Sequence, residues 1–220
     1  MKKTILLFSA TALLLTACQD APKADNAEAT EAQEVTNEGG ELYNADLTQS
    51  KVEWTGTKAT GQHTGTINLT SGSLNVANNA ITGGSFVLDV NSINPMDQDA
   101  EGNEKLKTHL LSPDFFDAAN HPEASFEITG VTEGAQAAEG EEVLLEGATH
   151  TITGNLNLKG TTKSISFPAI IAMGEGNVTA DANFNIDRTQ WGLNYGSDES
   201  LGDKFIHHAV NLKLHLVANK

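Results

Sequence analysis

From Tyr43 onward the chain alternates with period two. Phe86, Leu88 and Val90 alternate with Ser85, Asp89 and Asn91, broken only at Val87. Val178, Ala180, Ala182, Phe184 and Ile186 alternate with Asn177, Thr179, Asp181, Asn183 and Asn185. Val210, Leu212, Leu214 and Leu216 alternate with Asn211, Lys213 and His215. Shorter copies are Val52/Trp54, Ile67/Leu69, Leu74/Val76, Phe126/Ile128, Ile152 with Leu156/Leu158, and Ile165/Phe167. Successive strand residues point to opposite faces, so each segment wets one face and buries the other. Antiparallel sheets do this, whereas parallel strands covered on both sides read as continuous apolar runs. Turn signals at Asn78-Asn79, Gly83-Gly84 and Gly174-Glu175-Gly176, and an acidic loop from Gly134 to Gly147, separate the strands. One stretch breaks the alternation. Asn103 to Leu111 spaces Leu106, Leu110 and Leu111 as a helix does, and Ser112-Pro113 stops it. The pattern predicts an all-β domain of eight or more antiparallel strands with one short inserted helix. A two-sheet sandwich and a closed barrel both satisfy it.

Ahead of the domain the chain reads as an address. Lys2 and Lys3 precede an apolar run from Ile5 to Leu15, the length of a signal h-region and too short to span a bilayer securely. The run closes on Leu15-Thr16-Ala17-Cys18, which resembles the bacterial lipobox. That resemblance implies a lipoprotein signal peptide over residues 1–17 and a mature chain beginning at Cys18. It further implies a diacylglyceryl thioether and an amide-linked acyl chain on that residue. Two or more acyl chains, at about 0.8 kcal/mol per buried CH₂, anchor a protein stably. Cys18 is the only cysteine. The alternative is an ordinary secretory signal with a chance cysteine. Residues 19–42 carry seven acidic side chains against Lys23 and no aromatic, so residues 18–42 are expected to be a lipidated, acidic, disordered tether. A helix over Ala27 to Val35 is the alternative there. The globular domain is then residues 43–220.

Charge narrows the partners. Without the leader the chain has 11 basic and 29 acidic residues, a net charge of −18, which argues against a nucleic-acid binder. One cysteine excludes an internal disulfide framework and any CxxC site. No nucleophile elbow, HExxH helix or phosphate loop occurs, and Gly160-Thr-Thr-Lys163-Ser164 reads as a turn between strands. His207 and His208 would point to opposite faces of a strand and cannot chelate one metal. The one titratable cluster open to an enzyme reading is His109, Asp114, Asp117 and His121. The adjacent Phe115 and Phe116, directly after the helix stop, either plug a barrel end or line an apolar cavity.

Several blocks carry a family resemblance. Trp54-Thr-Gly-Thr-Lys58, His63-Thr-Gly-Thr66, Leu110-Leu-Ser-Pro-Asp-Phe-Phe-Asp117, His121-Pro-Glu-Ala-Ser-Phe126, Gly154-Asn-Leu-Asn-Leu-Lys-Gly160 and Asp187-Arg-Thr-Gln-Trp-Gly192 resemble, in order, the YceI-like polyisoprenoid-binding proteins. The resemblance spans about Tyr43 to Ala218. It implies an eight-stranded antiparallel lipocalin-like barrel whose interior holds an isoprenoid or quinone-like amphiphile, with no catalytic residue, cofactor or metal. Two blocks depart from the family pattern: the centre of the Gly154 block, and the long Leu193 to Lys204 segment, which bears on the shape of that barrel mouth.

On this reading Trp54, Phe86, Phe126, Phe167 and Phe184 line the wall. The small residues Ala180, Ala182 and Gly154 leave room for a tail, and Phe115 or Phe116 touches it where the helix caps one end. His63 and Arg188 are candidate headgroup contacts. The implied protein is an envelope lipoprotein of bacterial periplasm or cell surface that binds an apolar lipid and is able to oligomerise. The alternatives are a packed barrel serving as a structural or stress-related module with a protein partner, and a hydrolase.

Overall fold

The computed structural model describes residues 21–36 and 39–220. Its elements in chain order are β1 (Asp25–Asn26), β2 (Thr30–Glu31), β3 (Glu41–Ala45), β4 (Lys51–Lys58), β5 (Gly61–Ala77), β6 (Ala80–Pro95), α1 (Ala100–Leu111), β7 (Glu123–Glu133), β8 (His150–Leu158), β9 (Thr161–Met173), β10 (Asn177–Asp187) and β11 (Ile206–Asn219). Short 3-10 turns at Arg188–Trp191 and Glu199–Lys204 interrupt the link from β10 to β11. From β4 to β11 each strand pairs antiparallel with the next, and β4 also pairs with β11. The sheet therefore closes into an eight-stranded barrel, which settles the sandwich alternative, although β9 and β10 pair over only part of their length.

The alternating residues do what their spacing predicts. Val178, Ala180, Ala182, Phe184 and Ile186 are all buried, and with Ile165, Phe167 and Leu156 they form the main interior cluster. Asn78 and Asn79 both adopt positive φ, 52° and 62°, and make the two-residue hairpin between β5 and β6. Gly83-Gly84 is not a turn. Both lie within β6, where a Cβ at Gly84 would fall 2.6 Å from the Ser73 carbonyl oxygen and 2.9 Å from Leu74 Cδ2. Glycine there permits close strand approach rather than chain reversal. The helix starts three residues earlier than its leucine spacing indicates, because the Asp99 carboxylate caps it by accepting from the Gly102 amide.

The barrel has a helix end and a hairpin end. At the helix end lie α1, the turn at residues 159–160 and the segment 188–205. At the hairpin end lie the β5–β6 turn, the acidic loop and the β9–β10 turn. β3 continues the line of β4 past a turn at Asp46–Ser50, pairing with the far ends of β5 and β11.

Residues 21–36 correct the expectation of a disordered tether. β1 pairs in parallel with β10 and β2 antiparallel with β9, and Ala24, Asp25 and Ala27 are buried. The Asp25 carboxylate accepts from the amides of Leu144 (2.8 Å) and Leu145 (2.9 Å). Asn155 Nδ2 donates to the Gln33 carbonyl at 2.7 Å while the Gln33 amide returns a bond of 2.9 Å. The segment has too few apolar residues to fold alone. It is ordered because the barrel supplies strand edges and polar side chains to pair with its backbone. Cys18 and the leader lie outside the described residues.

Candidate functional site

The inward faces of the strands enclose a cavity of about 420 Å³ that runs up to the helix end. This lies within the range of small-molecule sites, about 300–1,000 Å³. All ten residues expected at a ligand site lie in its wall: Trp54, His63, Phe86, Phe115, Phe116, Phe126, Phe167, Ala182, Phe184 and Arg188. Most of the remaining wall is aliphatic, including Leu74, Ile128, Ile152, Ile165 and Leu212. Such a surface can take an apolar chain by removing it from water, at roughly 25 cal/mol per Å².

The wall aromatics are set by glycines on neighbouring strands. Gly65 is the cross-strand partner of Trp54, and a Cβ there would lie 2.6 Å from indole Cζ2. Gly72 opposes Phe86 and would drive a Cβ into that ring. Gly154 does the same beneath Phe126. This corrects the expectation that Gly154 widens the cavity, because its missing side chain is replaced by the Phe126 ring. Ala180 and Ala182 do line open space. Deeper in, Phe167 and Phe184 stack at 4.0 Å with 12° between planes, and Phe126 meets Phe167 at 5.7 Å.

The helix end is a half-closed mouth. α1 buries none of its own residues, yet Leu106, His109 and Leu110 line the cavity beneath it. His109 packs edge-on against Phe115 at 5.0 Å and against Tyr195 at 4.7 Å. That three-ring cluster joins the helix segment to the long 193–204 segment. His63 and Arg188 reach the same cavity by different routes. His63 Nδ1 lies 2.9 Å from the Asp97 carboxylate, which also accepts from the Thr64 amide at 2.9 Å. Partial burial raises the Asp97 carboxyl, but these hydrogen bonds outweigh it and hold it below the ordinary value. Arg188 is buried, and its nitrogens donate to the carbonyls of His207 (3.0 Å), Ile206 (2.8 Å) and Leu193. Burial lowers its pKa while Asp187 pulls the other way. The guanidinium therefore ties the 193–207 chain to the barrel through three of its five N–H donors.

The four titratable residues that suggested an enzyme are engaged in separate contacts. His109 Nε2 lies 3.2 Å from Asp114, but the Asp117 carboxylate accepts from Asn120 and the His121 ring covers Gly160. Among the described residues, no group of three or more His, Cys, Asp or Glu side chains could hold a metal ion. Sequence reasoning missed Gly56 and Tyr195, both in the cavity wall. A Cβ at Gly56 would meet nothing within 4 Å, so this position keeps the mouth open. A glycine between two threonines on an alternating strand was the available signal.

Comparison with known proteins agrees with this geometry. The YceI-like domain family matches residues 43–218. A UPF0312 protein of Azotobacter vinelandii is 42% identical over 71 residues, which is 31% of this chain and 29% of that relative's length. BcnA of Burkholderia cenocepacia superposes with a TM-score of 0.60 at 22% identity, covering 79% of this chain and 98% of BcnA. A polyisoprenoid-binding domain from Saccharophagus degradans, implicated in plant cell wall breakdown, superposes with a TM-score of 0.58 at 16% identity, covering 80% of this chain and 97% of that domain. At these identities the two structures share the fold. Through residues 43–218, the chain belongs to the YceI-like domain family.

Proposed function

We propose that this protein is an acylated envelope lipoprotein whose barrel binds the apolar tail of an isoprenoid-type or quinone-like lipid, and that it is a carrier rather than an enzyme. The observation that carries the reading is the cavity itself. It is about 420 Å³, walled by Trp54, Phe86, Phe126, Phe167 and Phe184, and polar mainly at its ends. A long apolar chain fits such a space, and a headgroup at the helix-end mouth would keep its water. The polyisoprenoid-binding domain of S. degradans shares the fold, which favours the same ligand class here. Membrane attachment rests on Leu15-Thr16-Ala17-Cys18.

The test has two arms. Protein purified from envelopes is extracted with organic solvent, and the released lipid is identified by mass spectrometry. A prenyl-chain lipid at near one equivalent supports the reading, and an empty barrel that also refuses added prenyl lipid overturns it. In the second arm, Cys18→Ala should release the domain from the membrane fraction. Membrane association of correctly cleaved Cys18→Ala protein would overturn the anchor.

A further inference from the structure

The ladder between β9 and β10 is incomplete, and the N-terminal segment supplies the missing backbone partners. β9 and β10 pair only between Ala169–Met173 and Val178–Ala182. Toward the helix end they part, and Asp25–Glu31 fills the slot. Asp25 and Asn26 pair with Phe184 and Asn185 on one side, while Thr30 and Glu31 pair with Ser164 and Lys163 on the other. The Ala27 amide donates to the Asn185 carbonyl at 2.8 Å. Ala27 and Ala29 join the interior cluster, yet the cavity wall at the slot is made by Ile165 and Phe167 of β9 and Phe184 and Ile186 of β10. The stopper thus puts only methyl groups into the core. Its ion pair, Glu31 with Lys163, has the carboxylate in water, where such pairs hold weakly.

We propose that this slot is a lateral entrance to the cavity, that Asp25–Glu31 is its removable stopper, and that the apolar chain of a bilayer lipid passes through it. The inference rests on the lipid reading and the Cys18 anchor. The Pro22 carbonyl, four residues after Cys18, already accepts from Asn185 Nδ2 at 3.1 Å. An extended chain spans at most about 3.6 Å per residue, so the slot stays within about 15 Å of an acylated Cys18. A lipid tail using the helix-end mouth has to leave the bilayer and cross water, which exposes its full apolar length. A slot held beside the membrane shortens that exposure, and the same segment that anchors the protein closes it.

Locking the stopper tests this. Thr30 and Ser164 are direct antiparallel partners. Such pairs have Cα atoms about 4.5–5.5 Å apart, inside the disulfide range. In the acylated protein the Cys18 sulfur is consumed by its thioether, so Thr30→Cys with Ser164→Cys adds the free thiols. The protein, in phosphatidylcholine vesicles, is offered a dansyl-labelled geranylgeranyl chain and uptake is followed by stopped flow. The oxidised form should load at least tenfold more slowly than the reduced form, with final loading unchanged. Asp25→Ala, which frees the Leu144 and Leu145 amides, should load several-fold faster than wild type. Full loading at one rate in oxidised, reduced and Asp25→Ala protein overturns the entrance and leaves the lipid reading standing. No loading in any form, wild type included, overturns the lipid reading and the entrance together.

Discussion

The indole of Trp54 occupies the space that a side chain at Gly65 would fill. The two residues face each other across β4 and β5, and Trp54 Nε1 reaches the Thr66 carbonyl at 3.3 Å. An added Cβ at 65 would also strike the Asn94 carbonyl oxygen. Backbone cannot yield as a side chain can. Gly65→Ala should therefore cost about 1–3 kcal/mol, in the range of overpacked cores. Thermal melting together with a red shift of tryptophan emission would check it, and an unchanged melting temperature would refute the packing argument.

Gly56 lies on the same inward face and behaves oppositely. Its Cβ direction is empty, and its φ is not in the left-handed region. Gly56→Leu should fold with stability within about 0.5 kcal/mol of wild type, as for substitutions that disturb no contact. The leucine should fill the mouth, so lipid loading should fall sharply at constant melting temperature. Loading equal to wild type would move the ligand path away from position 56.

Asn155 clamps the N-terminal segment through its two bonds with the Gln33 main chain. Each such hydrogen bond contributes about 0.5–1.5 kcal/mol. Asn155→Ala should lower stability by about 1–3 kcal/mol on that basis, and raise amide exchange across residues 24–33 before it does so in β10. Uniform acceleration over the whole barrel would mean that the segment has no independent opening.

Asp46 governs the turn between β3 and β4. Its carboxylate accepts from the side chains and amides of Thr48 and Gln49, which lower its pKa from 3.8 to about 2. A depressed carboxyl contributes stability that is present above its unfolded value of 3.8 and lost as pH falls toward 2. Asp97, lowered in the same direction by His63 and Thr64 against the effect of burial, adds to the same acid limb. Carboxyl NMR should place the Asp46 midpoint near 2. Asp46→Asn should flatten the fall in melting temperature between pH 4 and 2 (about the window set by those two values). A midpoint near 3.8 would contradict the hydrogen-bonded turn.

The antiparallel strands, the inserted helix and the inward-facing residues were legible in the sequence, because burial of one face is written into every second residue. Phe86, Ala182, Phe184 and Ile186 could be placed on the inside from local spacing alone. The resemblance blocks carried the count of eight strands and the choice of a barrel over a sandwich, which alternation does not encode. Three features were decided only by tertiary structure. Gly154 reads as leaving room for a tail, and nothing local marks Gly65 or Gly72, because the work of all three under Trp54, Phe86 and Phe126 depends on cross-strand register that no local pattern records. The tie that Arg188 makes to carbonyls of the chain returning along residues 193–207 is invisible in the sequence, because those partners meet it only in the folded barrel. Residues 24–33 read as disordered because composition measures what a segment can bury by itself. Their order comes from β9 and β10 parting after Ala182, a property of how the barrel closes, which offers unpaired backbone to a segment with almost no apolar surface of its own.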